Sequence, residues 1–173
     1  SPYRSLLGIF LFINVNINYW VIKKISKFFK VIFWLFMMVK VLVFGSFDLL
    51  HEGHKHFFNE AKKLGDSLHV VVARDSSIKS FKGHQPKFNE NERVEHVKKL
   101  GIVDDVRLGY EGDKWKVIEE IRPDIIALGY DQDSYTKGLE KGMLDRKLKV
   151  KIVRLESYMP EKYKSSLMKE SID

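Results

Sequence analysis

A continuous apolar run, Val41-Leu42-Val43-Phe44, breaks at Gly45-Ser46 and leads within a few residues into a segment carrying His51, Gly53 and His54. An apolar run without polar alternation suits a parallel strand buried on both faces. The segment that follows, His51 to Leu64, places Phe57, Phe58, Ala61 and Leu64 on one helical face and ends at Gly65, a residue suited to a helix C-cap. A strand that turns sharply into a helix brings the helix's first N–H groups and its dipole to one point. Gly45 in that turn lets backbone approach an anion closely. His51 and His54, three apart, project from the same face of the first helical turn, and Gly53 keeps that face clear of bulk. On its own an HxxH pair is as readily surface or metal-binding decoration. Behind a strand, a turn and a glycine it reads as a phosphate site whose imidazoles stabilise charge during phosphoryl transfer.

The pattern repeats downstream. Leu68 to Ala73, Val106 to Leu108, Asp124 to Leu128 and Val150 to Leu155 read as strands. Asn91 to Leu100, Lys114 to Ile121, about Tyr135 to Leu148 and a closing segment from about Ser165 read as helices, and Arg74 to Asn89 as a polar loop. Strands alternating with helices predict an α/β fold, a parallel sheet of about five strands with helices on both faces and right-handed crossovers. Ligands in such sheets sit beyond the strands' carboxyl ends, where strand order reverses. That directs attention to Gly45 to His54, Arg74-Asp75 and Gly129 to Gln132.

Charge excludes one class of partner. The net charge is +7, but residues 1 to 40 hold six of the 30 basic residues and none of the 23 acidic ones, so the remainder is nearly neutral. A nucleic-acid binder would show a single-sign surface. The absence of cysteine removes disulfides, zinc–thiolate sites and a cysteine nucleophile, and fits a reducing cytoplasm.

Residues 1–36 differ from the rest: apolar Leu6 to Val21 is interrupted by Asn14, Asn16 and Asn18, and a basic stretch from Lys23 to Lys30 follows. A membrane anchor needs roughly 20 predominantly apolar residues, and a signal peptide puts its positive charge first. The favoured reading is a dispensable leader or upstream translated extension, with Met37-Met38 as a natural start and residues 37–173 as the functional domain.

Gly45-Ser46-Phe47-Asp48-Leu49-Leu50-His51-Glu52-Gly53-His54 resembles the G-[TS]-F-D-x-x-H-x-G-H signature of the cytidylyltransferase-like nucleotidyltransferases, whose fold is Rossmann-like. Val71 to Asp75, Lys82-Gly83 with Pro86, Asn91-Glu92-Arg93 with Val97, Asp124 to Gln132 and Lys164-Ser165-Ser166 resemble, in the same order, the archaeal-type FAD synthase branch, an FMN adenylyltransferase. The resemblance covers Val39 to Asp173. It implies transfer of a nucleotide from an NTP to a phosphorylated acceptor, with pyrophosphate released and Mg²⁺ accompanying the NTP. ATP and FMN giving FAD is the first choice. CTP with a small alcohol phosphate such as glycerol 3-phosphate is the rival, and a non-catalytic nucleotide-binding sensor stands as the alternative from another class.

The resemblance implies roles as well. His51 and His54 contact the nucleotide phosphates, Lys82 reaches the triphosphate from a flexible loop, and Arg93 lies near the second substrate's phosphate. Gly45, Ser46 and Phe47 supply turn contacts, and Asp48 buttresses the turn. Gly129, Tyr130, Asp131 and Gln132 wall the nucleoside, while Ser165 and Ser166 cap phosphate at the last helix. No protein-held metal site is expected, and related enzymes are often homodimers. Two departures stand out: His84 where relatives commonly carry arginine, which removes a fixed charge from the triphosphate, and Asn89 where they carry proline. The Arg-Thr-Glu-Gly-Ile-Ser-Thr-Thr run of glycerol-3-phosphate cytidylyltransferases is absent, Arg154 and Lys164-Ser165-Ser166 being the nearest equivalents. Asp104-Asp105, Glu119-Glu120, His56, His69 and His96 read as solvated or structural, Tyr110 and Trp115 as packing residues over pocket residues, and Met143 with Lys137 to Lys149 as a solvated helix.

Overall fold

A computed structural model describes residues 25–32, 38–130, 132 and 138–156. The chain divides between Met37 and Met38 into two units. Of the first, residues 25–32 are helical and exposed.

The second unit is built on five parallel strands: β1 (Lys40–Gly45), β2 (Ser67–Val72), β3 (Asp105–Leu108), β4 (Ile125–Leu128) and β5 (Lys151–Arg154), in the order β3-β2-β1-β4-β5. The helices are α1 (Glu52–Lys62), α2 (Asp75–Lys82), α3 (Glu90–Lys99), α4 (Lys114–Ile121) and α5 (Leu139–Asp145). This is the α/β, Rossmann-like arrangement that the alternation predicts.

The unbroken apolar run of β1 has a direct cause. Successive strand residues face opposite sides of a sheet, and both sides here are covered. Val41 and Val43 join a core with Phe58 and Ala61 of α1 and Val94 and Val97 of α3. Leu42 and Phe44 join a second core with Val117, Ile118 and Ile121 of α4 and Leu139 and Met143 of α5. Met143 is therefore a core residue and not part of a solvated helix, and it shares this face with Leu139 because the two lie one helical turn apart. Glycine at position 142 completes the fit, since a Cβ there would collide with the Trp115 ring. Trp115 thus has the packing role expected of it.

The stretch read as a polar loop contains α2, one turn of which is anchored by Ile78, the helix's single buried residue. A helix this short and this polar shows little periodic signal, and Gly83 closes it in the left-handed conformation (φ 74°). The departure at Asn89 also has a physical reason. Its side chain accepts hydrogen bonds from Asn91 N and Glu92 N, both at 3.0 Å, while its own N–H donates to Glu92 Oε2 at 2.9 Å. This capping box starts α3 and needs an N–H that proline lacks.

With β2 and β3 on one side of β1 and β4 and β5 on the other, the order reverses at β1. The carboxyl ends of β1 and β4 therefore open the crevice in which such folds bind ligands.

Candidate active site

The turn after β1 is held by packing from within and by hydrogen bonds from below. Phe47 adopts a left-handed backbone (φ 48°) and turns its ring inward, where it is buried. The ring packs against Phe58, with centroids 5.0 Å apart, and edge-on against His54 at 5.6 Å. It also fills the space beside Gly45, where an added Cβ would lie 2.5 Å from Phe47 Cζ. Glycine at 45 is thus required by an internal ring, and the Phe47 side chain serves the core, which leaves the backbone of residue 47 for the turn contact that the resemblance implies.

Arg93 is the one fully buried charged side chain among the described residues, at 0% exposure. Its guanidinium donates to Ser46 O (2.5 Å), Ala73 O (2.7 Å), Asp75 Oδ1 (2.7 Å) and, through Nε, to Phe88 O (3.0 Å). Buried and committed to these acceptors, it lies beneath the turn and not at a substrate phosphate, which corrects the role implied by the resemblance. Asp48 completes the lattice by accepting from Lys87 N (2.9 Å) and Phe88 N (3.0 Å), so it buttresses the segment that also receives Arg93. Asp75 and Glu90 exchange backbone and side-chain bonds in both directions, and Arg74 pairs with Glu90 at 2.6 Å. Sequence reasoning pointed to Arg74-Asp75 as a strand end without giving Asp75 a role. An acid at a strand end and an arginine on the next long helix were the available signal.

On this base sit the functional groups. His51 occupies the N-cap position of α1 without a side-chain capping bond, so the helix's first turn is not closed off by that ring. The His51 and His54 rings stack with centroids 3.9 Å apart. Burial, the neighbouring His51 and the Lys82 ammonium lower the His54 pKa to about 3. Burial likewise lowers His51, against a weaker opposing effect of Glu52. Both imidazoles are therefore neutral near pH 7. His54 Nδ1 is buried without a hydrogen-bond partner. A proton on Nε2 leaves only a lone pair unpartnered there and gives the N–H to the cavity that His54 lines. Lys82, on the last turn of α2, donates to Ser46 Oγ at 3.2 Å, which brings an ammonium to the mouth of the turn. It is carried by a helix and not by a flexible loop. His84 lies past Gly83, exposed, with Nδ1 3.1 Å from Gln85 O.

His51, His54 and Lys82 line a cavity of about 960 Å³, together with Gly45, Ser46, Gly53, Gly129, Tyr130 and Gln132. Gln132 is a latch: its amide donates to Phe44 O (2.7 Å) and accepts from Gly129 N (3.0 Å), tying the ends of β1 and β4 together. Its polar atoms thus serve the wall itself. Arg154 follows the same logic, donating to Gly129 O (3.1 Å) and Tyr130 O (3.4 Å). Asp131, Ser165 and Ser166 lie outside the described residues. Among the described residues no group of three or more His, Asp or Glu is placed to hold a metal, and no helix is long and apolar enough to cross a membrane.

Comparison with known proteins adds relatives in sequence and in fold. The cytidylyltransferase-like family model matches residues 42–171. The FAD synthase of Aciduliprofundum boonei is 50% identical over 121 residues, 70% of this chain and 80% of that protein. The FAD synthase of Thermoplasma volcanium is 44% identical over 135 residues, 78% of this chain and 94% of that protein. The crystal structure of a Thermoplasma volcanium protein described as a lipopolysaccharide core biosynthesis protein superposes with a TM-score of 0.67 at 46% identity, covering 70% of this chain and 98% of that one. An Archaeoglobus fulgidus protein of unknown function shares the fold at a TM-score of 0.60 and 19% identity.

Proposed function

Because the chain belongs to the cytidylyltransferase-like family and is a nucleotidyltransferase, we propose that it joins ATP to FMN and releases FAD and pyrophosphate. An oxygen of the FMN phosphate attacks the α-phosphorus of ATP. The bond from that phosphorus to the bridging oxygen breaks, and pyrophosphate leaves with the electron pair. Neither a covalent enzyme intermediate nor an activated serine is needed, so positioning and charge stabilisation carry the rate.

The observation that carries this reading is the pair of stacked, neutral imidazoles at the N-terminus of α1, facing the same cavity as Lys82. His51 and His54 donate N–H groups to phosphate oxygens, the helix N-terminus adds its dipole, and Lys82 supplies the fixed charge. Ser46 and Gly53 line the turn's mouth. Gly129 and Tyr130 face the nucleoside, with Asp131 on its ribose or base edge and Ser165-Ser166 on phosphate. Arg93, Asp48, Gln132 and Arg154 act through the backbone that they hold.

Mg²⁺ accompanies the NTP and neutralises phosphate charge. Such an ion keeps much of its water and binds through substrate phosphates, so it needs no protein cage. The reading also includes a cytoplasmic location, no nucleic-acid partner and a homodimeric state. Residues 1–36 are a leader on this reading, and a chain starting at Met38 is expected to be soluble and as active as the whole. Loss of folding in that shorter chain would overturn the leader's dispensability.

The deciding experiment incubates the protein with ATP, CTP, FMN and glycerol 3-phosphate and identifies the product by mass. FAD is expected. A cytidylyl product would reassign the substrates, and nucleotide binding without pyrophosphate release from any pair would leave a sensor.

A further inference from the structure

Four of the described large apolar side chains in residues 38–156 are exposed: Phe81 (73%), Tyr110 (37%), Tyr130 (37%) and Leu144 (78%). Three of them, all aromatic, line the same cavity. Single exposed apolar residues are ordinary, but a cluster around one concavity marks a surface that something else covers.

The topology divides these three rings between two flanks. Tyr130 follows β4, beside the crevice where strand order reverses and the nucleoside is expected. Tyr110 follows β3, and Phe81 sits on the last turn of α2, after β2, so both belong to the opposite flank. In-line displacement requires the attacking oxygen and the departing pyrophosphate to lie on opposite sides of the α-phosphorus. Two substrates that meet above Gly45 therefore need separate space, and the β2–β3 flank has it. A second cavity of about 600 Å³ shares Arg74, Ser76, Tyr110, Glu111 and Asp113 with the first and extends it on this side. An acceptor the size of glycerol phosphate would leave that space empty, whereas a tricyclic ring with polar edges matches it.

The two aromatic groups differ in how they are held. Tyr110 is fixed: its hydroxyl donates to Glu120 Oε1 at 2.8 Å, and Lys116 Nζ lies over its ring, 4.2 Å from the centroid. Phe81 is adjacent to Lys82, whose ammonium reaches Ser46, and lies one turn beyond the buried anchor Ile78. Its ring is poised at the cavity wall with most of its surface uncovered.

We propose that Phe81 and Tyr110 form an aromatic clamp for the ring system of the acceptor, the isoalloxazine of FMN, and that Phe81 determines specificity for a flavin over a small alcohol phosphate. The proposal rests on the FMN adenylyltransferase reading. Stacking on Phe81 sets the ring on the flank opposite Tyr130, and Lys82, one residue on, meets the phosphate groups between the two substrates.

The test uses the full chain, ATP and FMN, with steady-state FAD formation and the quenching of FMN fluorescence on binding. Phe81→Ala is expected to raise KM for FMN about tenfold, the scale of one lost aromatic stacking partner, to weaken quenching, and to leave KM for ATP within about twofold. Phe81→Tyr should restore both FMN signals, which a purely structural role would not require. If the wild-type chain makes FAD but Phe81→Ala leaves KM for FMN and quenching unchanged, the clamp is wrong while the enzyme reading stands. If the loss falls on KM for ATP, Phe81 covers the adenine and the proposal is likewise overturned. A wild-type chain that makes no FAD overturns the functional reading and the clamp with it.

Discussion

Replacing His54 by alanine is expected to lower kcat for FAD formation by roughly a hundredfold or more, about 3 kcal/mol of transition-state stabilisation, the scale found when one preorganised donor to a developing anion is removed. The effect should fall on kcat and on kcat/KM together, with KM for ATP little changed, because the donor acts most strongly where charge develops. Neutrality of the ring makes this a hydrogen-bond effect. With its pKa lowered to about 3 by burial, His51 and Lys82, His54 carries no charge at pH 7. In the ligand-free protein its ring resonances should therefore show no titration step near 6.5, the ordinary value. The sign for stability follows. Between pH 6.5 and about 3 the unfolded chain binds a proton that the folded ring refuses, so this site's contribution to stability falls as pH drops through that window. A step near 6.5, or unchanged turnover in the alanine variant, would remove His54 from its assigned role.

Arg93→Met is the second large expectation, and it reads out first in folding. The substitution keeps most of the side chain's bulk but removes every donor to Ser46 O, Ala73 O, Phe88 O and Asp75. Breaking a buried ion pair from one side costs about 3–5 kcal/mol. Asp75 is 32% exposed and retains Glu90 N as a donor, so its charge is not stranded. The lower end, about 3 kcal/mol, is the expected loss in denaturant unfolding. Lysine should not rescue it, because one ammonium cannot reproduce a fork that reaches four acceptors. A change under about 1 kcal/mol would show that the turn is held by other contacts, and would restore the possibility that Arg93 meets a substrate.

Much of this arrangement could be read from residue order alone, for reasons that differ by element. The strands were legible because β1 is covered on both faces and so is apolar at every position from Val41 to Phe44. The HxGH pair was legible because its chemistry depends on local spacing. Helix α2 was not, since seven of its eight residues remain at least partly exposed and leave no stripe to detect. Nor was the true station of Arg93. An arginine that binds phosphate and one that binds carbonyls are the same letter, and only the approach of residues 46, 73, 75 and 88 tells them apart. Gln132 lines the cavity, but its amide is committed to Phe44 O and Gly129 N, a fact of strand pairing that no local pattern carries.

The lattice under the turn also bears on how the sequence can drift. Three of the four acceptors of Arg93 are main-chain carbonyls, which every amino acid possesses. Substitutions at Ser46 and Ala73 can alter what the cavity presents without touching the bonds that hold its floor. Only Asp75 joins the arginine through a side chain, so only that pair must change in concert. A floor bonded in this way leaves the residues around the base and the acceptor open to variation, which gives the scaffold room to acquire new substrates while keeping one geometry for the reaction.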